Sequence, residues 1–254
     1  MTHTTPAGTV MSADTQPIEL GLPRTRDVAT AIVAVGVAVV LIGLVATAIE
    51  LSGAAFAGRE EVVTLLSLSS EFNIPTIISV LWLATCAVLL LAIARIQKAR
   101  GGRFVGRWLL LSAIFGYMAI DEGARIHERL NGPLEALPIT TGYLRWGWVL
   151  VGALAVVVLI PVYLPFLRAL PATARNGMLV AGSLYVGGAL LTEIVGAGVS
   201  EDEGLSSPRY LVVTTMEETL EFAGIGLFIV VLWSLLRRWA PVLTLRHPAL
   251  AEHA

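Results

Sequence analysis

Six apolar runs, each close to the length of a bilayer crossing, leave this chain few ways to fold. The first is VATAIVAVGVAVVLIGLVATAIE, residues 28–50, and the others are 74–96, 107–127, 146–168, 177–198 and 211–236. A helix needs about 20 mostly apolar residues to cross roughly 30 Å of hydrocarbon. Backbone exposed to lipid must also satisfy its hydrogen bonds internally, and no strand-like alternation competes with the helical reading. The expected fold is therefore all-α, a polytopic transmembrane helical bundle with six spans. Composition agrees, because only 14% of the residues are charged, against about 25% in soluble domains. The partner implied is the lipid bilayer. A net charge of −2 gives no basic surface for nucleic acid.

Residues 1–23 are rich in Thr, Ser, Ala and Pro without apolar periodicity, which predicts a disordered tail. The run that follows is too long for a signal-peptide core and lacks a cleavage site, so it is expected to stay as the first span. That leaves residues 24–240 as the transmembrane domain and 241–254 as a C-terminal tail. The single cysteine, Cys86, sits in an apolar run and permits neither an internal disulfide nor a cysteine metal site.

Charge sets the expected orientation. With the N-terminus inside, the inner segments hold twelve of the 17 Lys and Arg residues and the outer ones five, at positions 59, 125, 129, 145 and 209. Both termini are thus expected in the cytoplasm, with the acidic loops outside.

The stretch DEGARIHERL, residues 121–130, departs most from this apolar pattern. Trp108 to Ile120 spans 13 residues, about 20 Å of helix, too short to cross. Span three must therefore continue through Asp121 and Glu122 to about Ile126. Span six likewise needs the turns of TTMEETLEF, and span five carries Glu193 inside its outer end. Span two starts just after Glu71, with Asn73 as N-cap and Pro75 in the first turn. Four helices thus carry polar groups into one outer layer.

Ionisable groups in a span cost about 2.5–3.5 kcal/mol each on insertion scales and face the interior or a wet cavity. Thr214, Glu217, Glu218 and Glu221 share an arc of roughly 100°. Carboxylates so close cannot all ionise without a proton, an Arg or a bound cation. Either they line a hydrated vestibule or they form a cation or proton site. Asp121, Arg125 and Glu128 share a face at helical spacing, as an ion-pair ladder or as part of the same site. On an unbroken helix His127 points about 120° from Asp121, so a shared role needs a break, for which Gly123 is the obvious place. His127 is otherwise an interfacial residue. The six tryptophans fit interface belts or core packing.

The patterns EFNIPTIIS (71–79), AIDEGARIHE (119–128), a glycine-rich span with Glu193, and MEETLEFAG (216–224) resemble a widespread group of bacterial multi-pass membrane proteins. Its members carry N-x-P-T, then D-E-x4-H-E, then E-E-x2-E, and the likeness covers most of the chain from span two onward. That group has no settled function, so the resemblance implies a site and not an activity. The EFN start of span two followed by a DE pair is also faintly similar to the alkaline ceramidase superfamily. Those hydrolases need several zinc-binding histidines, including a late H-x3-H, whereas His247 and His253 here lie in the tail. A carboxylate-rich site with at most one histidine suits Mg²⁺, Mn²⁺ or Ca²⁺ better than Zn²⁺.

Asp121, Glu122, Glu193, Glu218 and Glu221 are the expected core of the site, with Glu217, His127 and Glu128 beside it and Glu71, Asn73, Arg125 and Thr214 in support. Three uses stay open. One is metal-dependent chemistry on a lipid-borne substrate, another is proton- or cation-coupled transport, and the third is a non-catalytic assembly subunit.

Overall fold

The structure is a computed structural model that describes residues 18–134, 136–240 and 242–245. The tail readings for residues 1–17 and 246–254 fall outside the described residues. The chain runs β1 (Ile18–Gly21), α1 (Thr25–Ser52), α2 (Arg59–Leu66), α3 (Ile74–Ala99), α4 (Val105–Ala124), α5 (Ile126–Arg129) and α6 (Asn131–Leu134). A 3₁₀ turn at Gly142–Leu144 leads into α7 (Trp148–Ala169) and α8 (Ala172–Val186). A π-helical turn over Gly187–Thr192 joins α8 to α9 (Glu193–Glu203), and α10 (Pro208–Trp239) and β2 (Val242–Leu245) complete the chain.

The fold is an all-α bundle apart from one antiparallel ribbon, in which Ile18 stands opposite Leu245 and Gly21 opposite Val242. That pairing holds both ends of the described chain at the same end of the bundle. Five helical rods are long and apolar enough to cross a membrane: Thr25–Ser52, Ile74–Ala99, Trp148–Ala169, Ala172–Glu203 and Pro208–Trp239. This is an integral membrane protein. The expected third span is the 20-residue α4, about 30 Å long. Arg107, Asp121 and Glu122 leave it without an 18-residue stretch that holds fewer than three charges, unlike the other five.

α10 is the central rod and packs against α1, α3, α8 and α9. Its Ile225 and Leu232 are buried with Leu83, Leu90 and Ile93 of α3 and Phe166 of α7. Glycine sets the closest approach. At Gly224 an added Cβ would sit 2.7 Å from the Tyr185 backbone N and 2.8 Å from the Ala181 carbonyl. α8 and α10 therefore touch backbone to backbone, the arrangement small residues permit between membrane helices. Apolar side chains on α1 and α7, including Val33, Leu41, Leu154 and Val157, face outward.

The helix starts follow local chemistry. Asn73 caps α3 by accepting from Thr76 N at 3.1 Å, with Pro75 in the first turn, and Ser207 caps α10 by accepting from Tyr210 N at 3.2 Å. The two prolines inside α7 lie beside an inter-helix contact, where Arg107 Nε of α4 donates to the Val162 carbonyl at 2.8 Å.

α4 does not run on to Ile126. It ends at Ala124, Arg125 takes the left-handed conformation (φ 52°, ψ 46°), and α5 resumes at Ile126. Gly123, expected as the break, stays helical. Span five is longer than expected, because the π turn lets the helix continue to Glu203 and leaves Glu193 ten residues before its end.

Candidate functional site

The Arg125 turn assembles the first part of the site. The Arg125 backbone N–H closes α4 by donating to the Asp121 carbonyl at 2.7 Å. Reversal of the chain there swings His127 back over the helix end. His127 N donates to Asp121 Oδ1 at 2.8 Å, and His127 Nδ1 lies 2.7 Å from Asp121 Oδ2. An unbroken helix would have held these two side chains apart. The same turn points Arg125 at Glu71, in the loop before α3, and at Glu128 of α5, with which it forms ion pairs. Its guanidinium also lies 6.0 Å from the centre of the Phe72 ring. Phe72 and Arg125 are the two non-glycine residues with positive φ among those described, so two conformationally costly positions meet at one contact.

One guanidinium thus serves two carboxyls. Glu71, which lies outside the spanning helices, is pushed up to about 8 by its burial, and further by the Glu128 carboxyl beside it, against the pull of Arg125. A proton on Glu71 leaves the triad electrically balanced.

The second part lies between α7, α9 and α10. Trp148 Nε1 donates to Glu193 Oε1 at 3.0 Å, and the Trp148 ring lies 4.7 Å from that of His127. Trp148 therefore connects the Asp121–His127 pair to Glu193. Glu193 is in turn within hydrogen-bonding reach of the Glu217 carboxyl on α10. The π turn brings these groups together, since an added Cβ on Gly188 would lie 2.9 Å from the Glu217 carbonyl and 3.0 Å from Glu221 Cγ. π turns widen the helix at single points, often next to functional groups. The Thr192 hydroxyl bonds back to the Gly188 carbonyl within the same turn.

Glu122 of α4 completes the layer. It reaches Ser79 on α3 and faces Glu218 and Glu221 of α10, with the Tyr185 phenol among them. All five glutamates, at 122, 193, 217, 218 and 221, are half-buried. Among the described residues, none of the five forms an ion pair with Arg or Lys. Thr214 sits one turn before Glu218, its hydroxyl donating to the Tyr210 carbonyl at 3.2 Å.

The structure therefore gathers the expected site residues into one layer, but as neighbouring pairs. Among the described residues, no three His, Cys, Asp or Glu side chains converge closely enough to hold a metal ion. His127 is committed to Asp121, and Glu193 to Trp148 and Glu217.

Residues 29–235 match the family described as Domain of unknown function (DUF8692). The chain belongs to that family. The DUF8692 region runs from α1 to the last turns of α10, so it contains every residue of the acidic layer. No curated protein and no solved structure matches the chain.

The layer also contains Trp148, Ser79, Tyr117, Tyr185 and Tyr210, to which the sequence pattern assigns no part in the site. Tyr185 carried a signal, as the one phenol in an otherwise aliphatic and glycine-rich span. Nothing local distinguished Trp148 from Trp146, because its role comes from a contact across 45 residues.

Proposed function

We propose that this membrane protein is a transporter that binds and exchanges protons through its carboxyl layer and carries them across the membrane. The Glu193–Glu217 pair carries this reading. Two carboxyl groups bond to each other only when a proton lies between them, and Trp148 supplies a further donor to the same pair. Half-buried acids without basic partners are the arrangement that proton-coupled membrane proteins use for loading and release. Three side chains converging on one point would have favoured a divalent cation, and with it metal-dependent chemistry on a lipid-borne substrate. The faint likeness to alkaline ceramidases adds no zinc-binding histidines, because His127 is the one histidine among the described residues.

In this reading α4 is the sixth span, and both chain ends face the cytoplasm across a bacterial plasma membrane. The distribution of Lys and Arg supports that orientation, and the ribbon that joins the ends supports an even number of crossings. The acidic layer then lies toward the outside. Proteoliposomes carrying an internal pH indicator test the proposal. Wild-type protein should dissipate an imposed pH gradient faster than Glu217→Gln protein reconstituted to the same density. Equal rates for the two would remove the support for proton exchange.

A further inference from the structure

A second polar feature lies beside the acidic layer. A cavity of about 470 Å³ opens between the end of α1, α2, the loop before α3 and the start of α10. Glu50, Arg59, Glu60, Thr64, Ser70 and Tyr210 are among its lining residues. Its volume falls within the roughly 300–1,000 Å³ of small-molecule sites, yet its wall is ionic where such sites are mostly apolar.

The charges in this wall do not neutralise one another. Arg59 donates from Nη2 to the Glu50 backbone carbonyl at 3.3 Å, and its Nε has no hydrogen-bond partner. Among the described residues no carboxylate forms an ion pair with Arg59, and neither Glu50 nor Glu60 pairs with a cation. A guanidinium and two carboxylates thus border one space without an ion pair among them. The wall is also pre-built. Asn73 Nδ2 gathers the carbonyls of Thr64, Ser67 and Ser70 at 3.1, 2.7 and 2.8 Å, which fixes the loop whether or not a ligand is present.

We propose that this cavity binds a zwitterionic group, its oxyanion on Arg59 and its ammonium between Glu50 and Glu60. Arg suits an oxyanion because its planar fork can donate two parallel bonds. Ser70, which also lines the wall, carries a further hydroxyl. Two sources have this chemistry, a free phosphorylated or carboxylated amine and an ethanolamine-type lipid headgroup. α2 suits the second, because Val62 and Leu65, on the face of α2 away from the cavity, and Phe56 in the turn before it are exposed apolar residues that a lipid acyl chain could cover. The site stands whether or not the neighbouring acids exchange protons.

Calorimetric titration of the full chain in an uncharged detergent tests it, with O-phosphoethanolamine, a short-chain phosphatidylethanolamine and inorganic phosphate as probes. At least one of the two zwitterions should bind saturably, and the one that binds more tightly identifies the source. Arg59→Gln should weaken binding about tenfold or more, the scale for loss of a charge-assisted bidentate contact. The solvent-exposed Glu60→Gln should reduce the preference for the zwitterion over phosphate. Glu217→Gln should bind like wild type, which separates this site from proton exchange. Binding of neither zwitterion, equal binding of inorganic phosphate, or full binding by a folded Arg59→Gln protein would each overturn the proposal.

Discussion

Replacing Asn73 with aspartate changes one atom of the side chain and reverses half of its chemistry. Asn73 is 2% exposed and works in two directions. Its Oδ1 accepts from Thr76 N and from Thr76 Oγ1, both at 3.1 Å, which caps α3. Its Nδ2 donates to the carbonyls of Thr64 at the end of α2 and of Ser67 and Ser70 in the loop that follows, which fixes the chain beside the cavity. Aspartate keeps the cap, and its charge suits a helix N-terminus. It also turns an amide shared among three carbonyls into an acceptor facing three acceptors. Two lost N–H bonds cost about 0.5–1.5 kcal/mol each, and stranded buried carbonyls cost about 1–3 kcal/mol more. Asn73→Asp should therefore be destabilised by about 3 kcal/mol, although its cap is intact. Asn73→Ala loses the cap as well, worth about 1 kcal/mol, and should fall to about 4 kcal/mol below wild type. Thermal or denaturant unfolding in detergent measures both. Acid should partly rescue the aspartate variant, since a protonated carboxyl again offers a donor. An Asn73→Asp protein as stable as wild type would show that Asn73 is only a cap and that the cavity wall stands without it.

Other outcomes follow from the same contacts. Glu71 holds its proton up to about 8 in the folded chain, against 4.5 for the unperturbed group. Folding stability should therefore fall as pH rises through that window, and Glu71→Gln should flatten the profile. Gly188→Ala pushes a Cβ against the Glu217 carbonyl and should cost about 1–3 kcal/mol through overpacking. Gly187→Ala, with nothing within 4 Å of its Cβ, should instead gain up to about 1 kcal/mol in helix propensity. A thermal scan of the two variants reads the contrast, and equal effects would contradict the close approach of the π turn to α10. Trp148→Phe keeps a ring against His127 but removes the donor to Glu193, so it should leave the fold intact and slow proton flux. Elemental analysis of the purified protein should find no stoichiometric metal that Glu217→Gln removes.

The bundle was legible because long apolar runs permit few alternatives in lipid, and the Asn73 cap and Pro75 were legible because they act within one turn. The acidic layer was legible as a level, since each acid could be placed by its depth along its own helix. Its pairing was not legible. The partnership of His127 with Asp121 depends on a left-handed turn at Arg125, a residue type that gives no local warning, whereas Gly123 gave a false one. Glu193 was placed by depth, but its partner Trp148 depends on how α7 packs against α9, which no helical periodicity encodes. The π turn was hidden for a similar reason: GGALLT reads as ordinary helix until it packs against α10.

Infrared difference spectroscopy of the carboxyl region at neutral pH tests the central claim most directly, because a protonated carboxyl absorbs apart from a carboxylate. Wild type should show a protonated carboxyl band that Glu217→Gln removes and Glu193→Gln shifts or removes, with the bundle folded in both variants. A wild-type spectrum without that band, or a band untouched by either substitution, would contradict a proton held between Glu193 and Glu217.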